Sequence, residues 1–207
     1  KTLGSAGELV VATPEEAPAH YAEAEMVASF PARMPSMEQL PKAKWLHSFS
    51  AGVDRILTSA VAASPVLLSN SRGVHAIPIA EHILGFMLTF SRGFYDTFRN
   101  QEQHRWEKAQ TLGELHDSIV LVVGLGEIGS QAGKLARAFG ARVLAVVRSP
   151  RATPEYIERL GTSEELDAML PEADYVVITL PHTKETHHLF DARRLALMKK
   201  SAVLINI

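Results

Sequence analysis

The chain has 207 residues, of which 46% are hydrophobic and 21% are charged, a globular composition that excludes an intrinsically disordered protein and accommodates one large domain or two small ones. Its 21 Lys and Arg nearly balance its 23 Asp and Glu, which argues against binding to nucleic acid or to a membrane surface because both need a basic face. The lack of cysteine excludes disulfide bonds, thiolate metal sites and a cysteine nucleophile.

The first part of the chain contains short apolar segments separated by Pro and Ser, which indicate an α/β fold with parallel strands. Thr13 followed by Pro14 predicts the start of a helix, because Thr caps helices and Pro suits their first turn. The predicted strands are residues 8–12, 26–29, 45–48 and 66–68.

A long apolar helix is predicted from Pro78 to about Tyr95, since apolar residues recur there at helical spacing. It is apolar on more than one side, so we expect it between domains or at a subunit interface. The polar residues 99–108 that follow are interpreted as a solvated linker. We predict two domains, residues 1–76 and 77–207, with the long helix opening the second domain.

The second part of the chain alternates strand and helix, a pattern typical of a doubly wound parallel sheet. The predicted strands are residues 119–123, 142–147, 175–180 and 202–207, the last of which ends at Ile207. The predicted helices are residues 127–139, with Phe139 on the buried face, about 164–169, and a helix capped by Asp191 that runs to Met198.

A glycine-rich loop lies between the first strand and the first helix of this part. Gly124 suits a tight turn, Gly126 lets a diphosphate approach the backbone, and Gly129 permits close packing of helix and strand. The free amides at the helix start would hold the phosphates, so the predicted cofactor-binding residues here are Gly124, Gly126, Glu127, Ile128 and Gly129.

The end of the next strand bears on the choice of dinucleotide. An NAD site usually has an acidic residue there that accepts hydrogen bonds from the ribose hydroxyls. This chain has Arg148 and Ser149 instead, a cation and a hydroxyl that suit a 2′-phosphate. We therefore expect NAD(H) or NADP(H) to bind, with a preference for NADP(H). In the alternative interpretation, Arg148 only solvates the strand end.

Several separate motifs, in order, resemble the D-isomer-specific 2-hydroxyacid dehydrogenase family, which includes glyoxylate/hydroxypyruvate reductases and 3-phosphoglycerate dehydrogenase. The resemblance covers nearly the whole chain. The matching stretches are residues 50–54 (Ser-Ala-Gly-Val-Asp), 73–82 (Gly-Val-His-Ala-Ile-Pro-Ile-Ala-Glu-His), 124–140, 180–186 (Leu-Pro-His-Thr-Lys-Glu-Thr), 198–200 and 204–207.

The resemblance implies an α/β fold, a Rossmann-type doubly wound parallel sheet plus a smaller flavodoxin-like substrate domain. It implies that the turn formed by Ala51, Gly52 and Val53 binds the substrate carboxylate, and two amides in a tight turn also make chemical sense as an anion site. Arg72 is a further predicted substrate-binding residue, which we expect to reach the cleft between the domains. Residues 30–35 are expected to border the same site.

The resemblance adds Pro181 and Thr186 to the cofactor-binding residues, since they follow a strand at its carboxyl end. It also implies that Glu81 and His82 form a buried structural pair rather than an acid–base pair. His187 and His188 are adjacent, which is poor geometry for a chelate, so no metal site is expected.

The family's mechanism uses an Arg, a Glu and a His, and no residue of this chain matches them. No catalytic residue is therefore predicted within the chain, and the three are expected beyond Ile207. The substrate domain is expected to lack its first strand and helix, and the Rossmann domain is expected to lack its last strands. The chain alone is expected to be inactive.

The expected function is an NAD(P)-dependent 2-oxoacid reductase acting on a small substrate such as glyoxylate or hydroxypyruvate. The alternative is a non-catalytic, corepressor-like nucleotide-binding module. A cytoplasmic homodimer, with no nucleic-acid or membrane partner, is expected.

Overall fold

A computed structural model describes residues 7–108 and 112–207. The chain forms two units that divide between Arg72 and Gly73, whereas the sequence predicts the boundary after residue 76. The first unit is built on a three-stranded sheet and the second on a five-stranded sheet.

The first unit has a parallel sheet in the order β1-β2-β3. Leu40, Leu46, Ile56 and Val61 form its core. The strands are β1 (Met26–Ser29), β2 (Trp45–Ser48) and β3 (Leu67–Asn70), the α-helix is α1 (Ser59–Ala63), and 3-10 helices cover Ala17–His20, Pro31–Arg33 and Met37–Gln39.

The strand predicted at residues 8–12 is wrong. No described residue pairs with this segment, and the side chains of Leu9 and Val11 are 67% and 89% exposed. A strand gains its stability from a paired neighbour and a covered face, and this segment has neither in the described part of the chain. β3 also begins one residue later than predicted and ends at Asn70.

The helix predicted at Thr13 is reduced to a turn and a 3-10 helix. Its start is formed, because Glu16 Oε2 accepts from the amide and hydroxyl of Thr13, both at 3.0 Å. Pro18 lacks the amide hydrogen that an α-helix would need one turn later. The segment therefore closes as the 3-10 helix Ala17–His20.

The second unit has a parallel sheet in the order β6-β5-β4-β7-β8. The strands are β4 (Ile119–Val123), β5 (Arg142–Val147), β6 (Arg159–Thr162), β7 (Tyr175–Ile178) and β8 (Val203–Asn206). The α-helices are α2 (Ala76–Ser91), α3 (Phe94–Glu102), α4 (Glu127–Ala138), α5 (Leu166–Met169) and α6 (Ala192–Leu197).

Both faces of the five-stranded sheet are covered, which confirms the doubly wound architecture. Val120 and Val122 of β4 belong to a core cluster that includes α2 and α4, whereas Leu121 and Val123 belong to one that includes α5. Successive side chains of a strand point to opposite faces, so a continuous apolar strand can serve both layers.

The last strand is shorter than predicted and leaves out Ile207. β8 ends at Asn206, and the side chain of Ile207 is 41% exposed rather than buried in the sheet. The Ile207 amide still donates to the Ile178 carbonyl oxygen at 3.2 Å, which is the last bond between this segment and β7. β7 likewise ends at Ile178, two residues before its predicted end.

The long helix differs from its prediction at both ends. α2 begins at Ala76, and the chain turns at Gly93, whose φ is +62°, before α3 begins at Phe94. α3 therefore takes in Tyr95 and the first part of the predicted solvated linker.

Three further details of the second unit depart from the predictions. Phe139 is 46% exposed instead of buried, because it is the residue after the last turn of α4. Glu81 and His82 are exposed rather than buried, and the His82 ring packs edge-on against Phe86 with 4.5 Å between centroids. β6 was not predicted at all.

Within residues 7–108 and 112–207, no helix is long and apolar enough to cross a membrane.

Candidate functional site

The glycine loop leaves the carboxyl end of β4 through Gly124, which has a φ of +96°. A Cβ there would lie 2.8 Å from a Leu180 methyl and 3.1 Å from the Thr179 carbonyl oxygen, so a side chain is excluded both by backbone conformation and by space. The Thr179 hydroxyl donates to the Gly124 carbonyl oxygen at 2.6 Å. The end of β7 is thereby joined to the turn that follows β4.

Gly129 marks the closest approach of α4 to the sheet. A Cβ at this position would overlap the Gly124 carbonyl oxygen and would lie 2.7 Å from Thr179 Oγ1. Only glycine therefore lets α4 begin directly against the end of β4.

Gly126 has the opposite environment, because a Cβ there would meet nothing within 4 Å. Gly126 is the N-cap of α4 and supplies no capping side chain, so the first amides of the helix lack an internal acceptor. These amides and the helix dipole favour an anion. The backbone at Gly126 is therefore open to approach from outside the protein.

Glu127 and Ile128 form the first turn of α4. The Glu127 side chain is exposed, whereas Ile128 packs against the core. Their backbone amides, rather than their side chains, are therefore the groups that would face an anion at the helix start.

Arg148 and Ser149 follow β5 at its carboxyl end, and both are exposed. Hydrogen bonding from the Thr183 hydroxyl holds the pKa of Glu185 below its ordinary value, and the charge of Arg148 acts in the same direction. Because β5, β4 and β7 are parallel neighbours in the sheet, their carboxyl ends meet on one edge, which carries Arg148 and the loop after β7.

The predicted cofactor residues of the loop after β7 organise the loop itself. The Thr186 hydroxyl donates to the Pro181 carbonyl oxygen at 2.6 Å and accepts from the Thr183 amide at 2.8 Å. His182 Nε2 and His187 Nδ1 lie 3.3 Å apart. Across residues 7–108 and 112–207, no three His, Asp or Glu side chains are grouped so as to hold a metal ion.

The first unit has a cavity of about 340 Å³ on the loops after β1 and β2. Of the predicted substrate residues, Gly52 lines it, whereas Ala51, Val53 and Arg72 are not among its lining residues. The Asn70 amide group donates to the Ala51 carbonyl oxygen and so holds the turn. The lining residues are Phe30, Pro31, Ala32, Ser50, Gly52, Asp54 and Arg55.

The structure does not test the catalytic Arg, Glu and His that the resemblance implies, and they stay a prediction. Ile207 itself has no catalytic group, because its side chain is apolar and its amide is used in the bond to Ile178. The described residues supply groups that could bind a dinucleotide or an anion.

Two residues of these sites were missed by sequence reasoning. Arg55 lines the cavity of the first unit, and Arg151 donates from Nη2 to the Leu125 carbonyl oxygen in the glycine loop at 2.7 Å. Arg55 directly follows the Ser50–Asp54 motif and could have been found from that position. Arg151 contacts a residue 26 positions away, which no local pattern reveals.

The second unit matches a known domain. Residues 84–207 match the family model described as "D-isomer specific 2-hydroxyacid dehydrogenase, NAD binding domain". The chain is 35% identical over 157 residues to a D-3-phosphoglycerate dehydrogenase of Synechocystis sp., covering 75% of this chain and 28% of that protein. It is 28% identical over 214 residues to a glyoxylate/hydroxypyruvate reductase B of Escherichia coli, covering 99% of this chain and 65% of that protein.

Solved structures show the same likeness. A D-isomer specific 2-hydroxyacid dehydrogenase family protein from Aeromonas salmonicida is similar with a TM-score of 0.84 and 32% identity over 93% of this chain and 61% of its own. A D-lactate dehydrogenase from Aquifex aeolicus, complexed with NAD and lactic acid, is similar with a TM-score of 0.80 and 27% identity. The match covers 91% of this chain and 58% of that one. The chain spans less than two thirds of the length of each of these relatives.

The matched domain contains the glycine loop, the Arg148–Ser149 pair and the loop after β7. The fold of the structural neighbours is likewise an α/β fold with a Rossmann-type domain. The chain belongs to the D-isomer specific 2-hydroxyacid dehydrogenase family, whose members are NAD-binding oxidoreductases that act on CH–OH groups.

Proposed function

We propose that this protein binds NAD(H) or NADP(H) on the glycine loop, and that the whole protein reduces a small 2-oxo acid such as glyoxylate or hydroxypyruvate. One observation carries the proposal: Gly124 and Gly129 are packed closely against the sheet, whereas the space over Gly126 is open at the start of α4. The names of the relatives, a glyoxylate/hydroxypyruvate reductase and a lactate dehydrogenase bound to NAD, support the reaction class.

The residues of the second unit would hold the dinucleotide as follows. The amides of Gly126, Glu127 and Ile128 bind the diphosphate, and Arg148 with Ser149 binds a 2′-phosphate. The preference for NADP(H) is supported by the absence of an acidic residue at the end of β5. When bound, the nicotinamide supplies or accepts the hydride.

The cavity of the first unit would receive the substrate carboxylate. The turn at Ala51–Val53 offers backbone amides, which can form an anion site. Arg55 adds a positive charge to the cavity lining, and Asp54 adds a negative one, with its Oδ1 3.1 Å from where a Gly52 Cβ would lie. Arg72 is proposed as a further substrate-binding residue, outside the residues that line this cavity.

Reduction of a carbonyl also needs a proton donor and a group that stabilises the developing alkoxide. None of the 207 residues matches the family's Arg, Glu and His. We therefore propose that this chain by itself binds the dinucleotide without turning it over. The second candidate is a corepressor-like module that binds nucleotide without catalysis, and the presence or loss of the Arg, Glu and His in the whole protein discriminates the two.

We further propose a homodimer in the cytoplasm. The exposed apolar residues of α2, Ile77, Phe86 and Phe90, support an interface on that helix. The lack of cysteine suits a reducing compartment.

The binding proposal is tested with Gly126→Ala, because the new methyl group meets nothing in the protein but projects where the diphosphate would lie. We expect NADPH and NADH, followed by nicotinamide fluorescence, to bind the unaltered protein and to bind this variant about tenfold more weakly, the value of one charge-assisted hydrogen bond.

Gly85→Ala is the matched control, since a Cβ at this exposed position of α2 also meets nothing within 4 Å. It should bind both dinucleotides as the unaltered protein does. Equal affinity of the Gly126→Ala and Gly85→Ala variants would contradict the proposed site.

A further inference from the structure

Arg151 is the residue of the second unit whose contact with the glycine loop is unexplained by the fold alone. Its Nη2 donates to the Leu125 carbonyl oxygen at 2.7 Å. The same oxygen lies 3.4 Å from the Ser130 hydroxyl, which comes from the first turns of α4. The Leu125 side chain is buried, so this carbonyl belongs to a fixed part of the loop.

The contact controls the orientation of a peptide group. The Leu125 carbonyl and the Gly126 amide belong to one planar trans peptide, because the described chain has no cis peptide bond. In a trans peptide the C=O and N–H bonds point in opposite directions. A donor that holds the carbonyl therefore also fixes the direction of the Gly126 amide.

The charge of the Arg151 guanidinium is not neutralised by a carboxylate partner in the described chain. Within the part of the chain that the structure describes, Arg151 forms no ion pair. The Arg side chain is planar and directional, so it can hold one carbonyl in a defined geometry better than Lys can.

We propose that Arg151 is a positioning residue of the dinucleotide site, which anchors the Leu125 carbonyl and thereby holds the Gly126 amide toward the diphosphate. This inference rests on the proposed binding of NAD(P) to the glycine loop. The role of Arg151 differs from that of Arg148. Arg151 acts on the diphosphate that NADH and NADPH share, whereas Arg148 acts on the 2′-phosphate that only NADPH carries.

The test compares Arg151→Met and Arg151→Lys with the unaltered protein in titrations with NADH and with NADPH. We expect Arg151→Met to weaken both dinucleotides by the same factor, about three- to tenfold, the value of one ordinary hydrogen bond, because Arg151 acts on the diphosphate only through the Gly126 peptide. Arg151→Lys keeps a charged donor and should weaken both by a smaller factor. A loss confined to NADPH, or no loss, would overturn the proposal.

Arg92→Met is the matched control, because Arg92 Nη1 also donates to a main-chain oxygen, that of Gly113, at 2.9 Å. It should leave both affinities unchanged. If Arg92→Met weakens binding as much as Arg151→Met does, the effect is a general loss of structure and the positioning role is wrong.

A second measurement separates this inference from the proposed function. In the ligand-free protein, the ¹H–¹⁵N resonance of Gly126 should move in Arg151→Met and stay in place in Arg92→Met. An unmoved resonance overturns the positioning role even if the dinucleotides bind. A moved resonance in a protein that binds neither dinucleotide supports the anchoring of the peptide and refutes the proposed function instead.

Discussion

The three glycines of the loop differ at the scale of single residues. A Cβ added at Gly129 would overlap a backbone oxygen. Gly124 has a positive φ, and a Cβ there would also meet close neighbours. A Cβ added at Gly126 would meet only open space. Backbone atoms cannot move aside as the end of a flexible side chain can, so the first two positions are steric requirements of the fold. Gly126 is free of that requirement, so packing within the fold does not account for glycine at this position.

Gly129→Ala should consequently destabilise the protein, because its methyl group would overlap the Gly124 carbonyl oxygen and crowd Thr179. The free energy of unfolding should fall by about 1–3 kcal/mol, the usual cost of overpacking. Gly126→Ala should lie within about 0.5 kcal/mol of the unaltered protein, as for a site without contacts. Urea unfolding of the two variants measures this difference, and equal loss in both would contradict the assignment.

Arg148 is expected to govern the choice between dinucleotides. Arg148→Ala should weaken NADPH about tenfold and leave NADH unchanged, because a charge-assisted hydrogen bond to the 2′-phosphate is lost. Competitive titrations with the two dinucleotides measure the ratio, and Arg92→Ala serves as the control. A loss shared by NADH, or a preference of the unaltered protein for NADH, would contradict the role of Arg148.

The sequence indicated the glycine loop and Arg148 because each lies at a fixed distance from an apolar strand. Arg151 has no such signal. Its partner is Leu125, and this pairing depends on the path of the chain after β5. Contacts between residues far apart in sequence are set by the fold and cannot be deduced from one local pattern.

At the scale of elements, apolar runs decide which strands could be predicted. β1, β2, β4 and β5 were all predicted to the residue, although of these only β4 and β5 are largely buried. β6 was missed because Leu160 is its only strongly apolar residue and it forms the edge of the sheet. Residues 8–12 are as apolar as a strand but have no partner in the described chain, which periodicity alone does not reveal.

α5 and α6 are joined by an ion-pair network that gives a pH-dependent prediction. Asp167 accepts from Arg193 Nη1 at 2.6 Å and from Arg194 Nε at 2.7 Å. These two guanidinium groups hold the pKa of Asp167 below its ordinary value of 3.8. A lowered pKa in the folded state adds stability above the ordinary pKa, and this stability is lost as the pH falls through the folded-state value.

Asp167→Asn should therefore lower the melting temperature at pH 7, and the difference should shrink as the pH falls below 3.8. Thermal unfolding followed by circular dichroism, at pH 7 and at a pH below 3.8, measures the difference in melting temperature between the variant and the unaltered protein. Glu164→Gln is the control, since Glu164 is exposed and forms no ion pair among the described residues. A difference between Asp167→Asn and the unaltered protein that stays constant with pH would contradict the network's role.

At the scale of the whole molecule, the candidate site of the second unit is assembled from three strand ends. The glycine loop follows β4, the Arg148–Ser149 pair follows β5, and Pro181 and Thr186 lie in the loop after β7. Ligands of open α/β sheets bind at the carboxyl ends of the strands, so this convergence was predictable once the strands were recognised. The hydrogen bonds by which Thr186 shapes its own loop were not, because they depend on side-chain geometry.

The exposed apolar face of α2 gives a prediction about assembly. Phe90 is 54% exposed, and burial of such side chains in an interface is favourable. We expect a dimer in sedimentation at micromolar concentration, and a monomer for Phe90→Glu because a buried unpaired carboxylate is costly. A monomeric unaltered protein, or a dimer that survives the substitution, would contradict an interface on this face.

Binding of a dinucleotide at the start of α4 is tested most directly by a ¹H–¹⁵N titration of the protein with NADPH. We predict saturable shifts of the Gly126, Glu127 and Ile128 amide resonances, together with those of Arg148 and Ser149. The same amides should shift with NADH, with smaller changes at Arg148 and Ser149. Saturable shifts confined to other parts of the chain, or no shift at millimolar NADPH, would contradict the site.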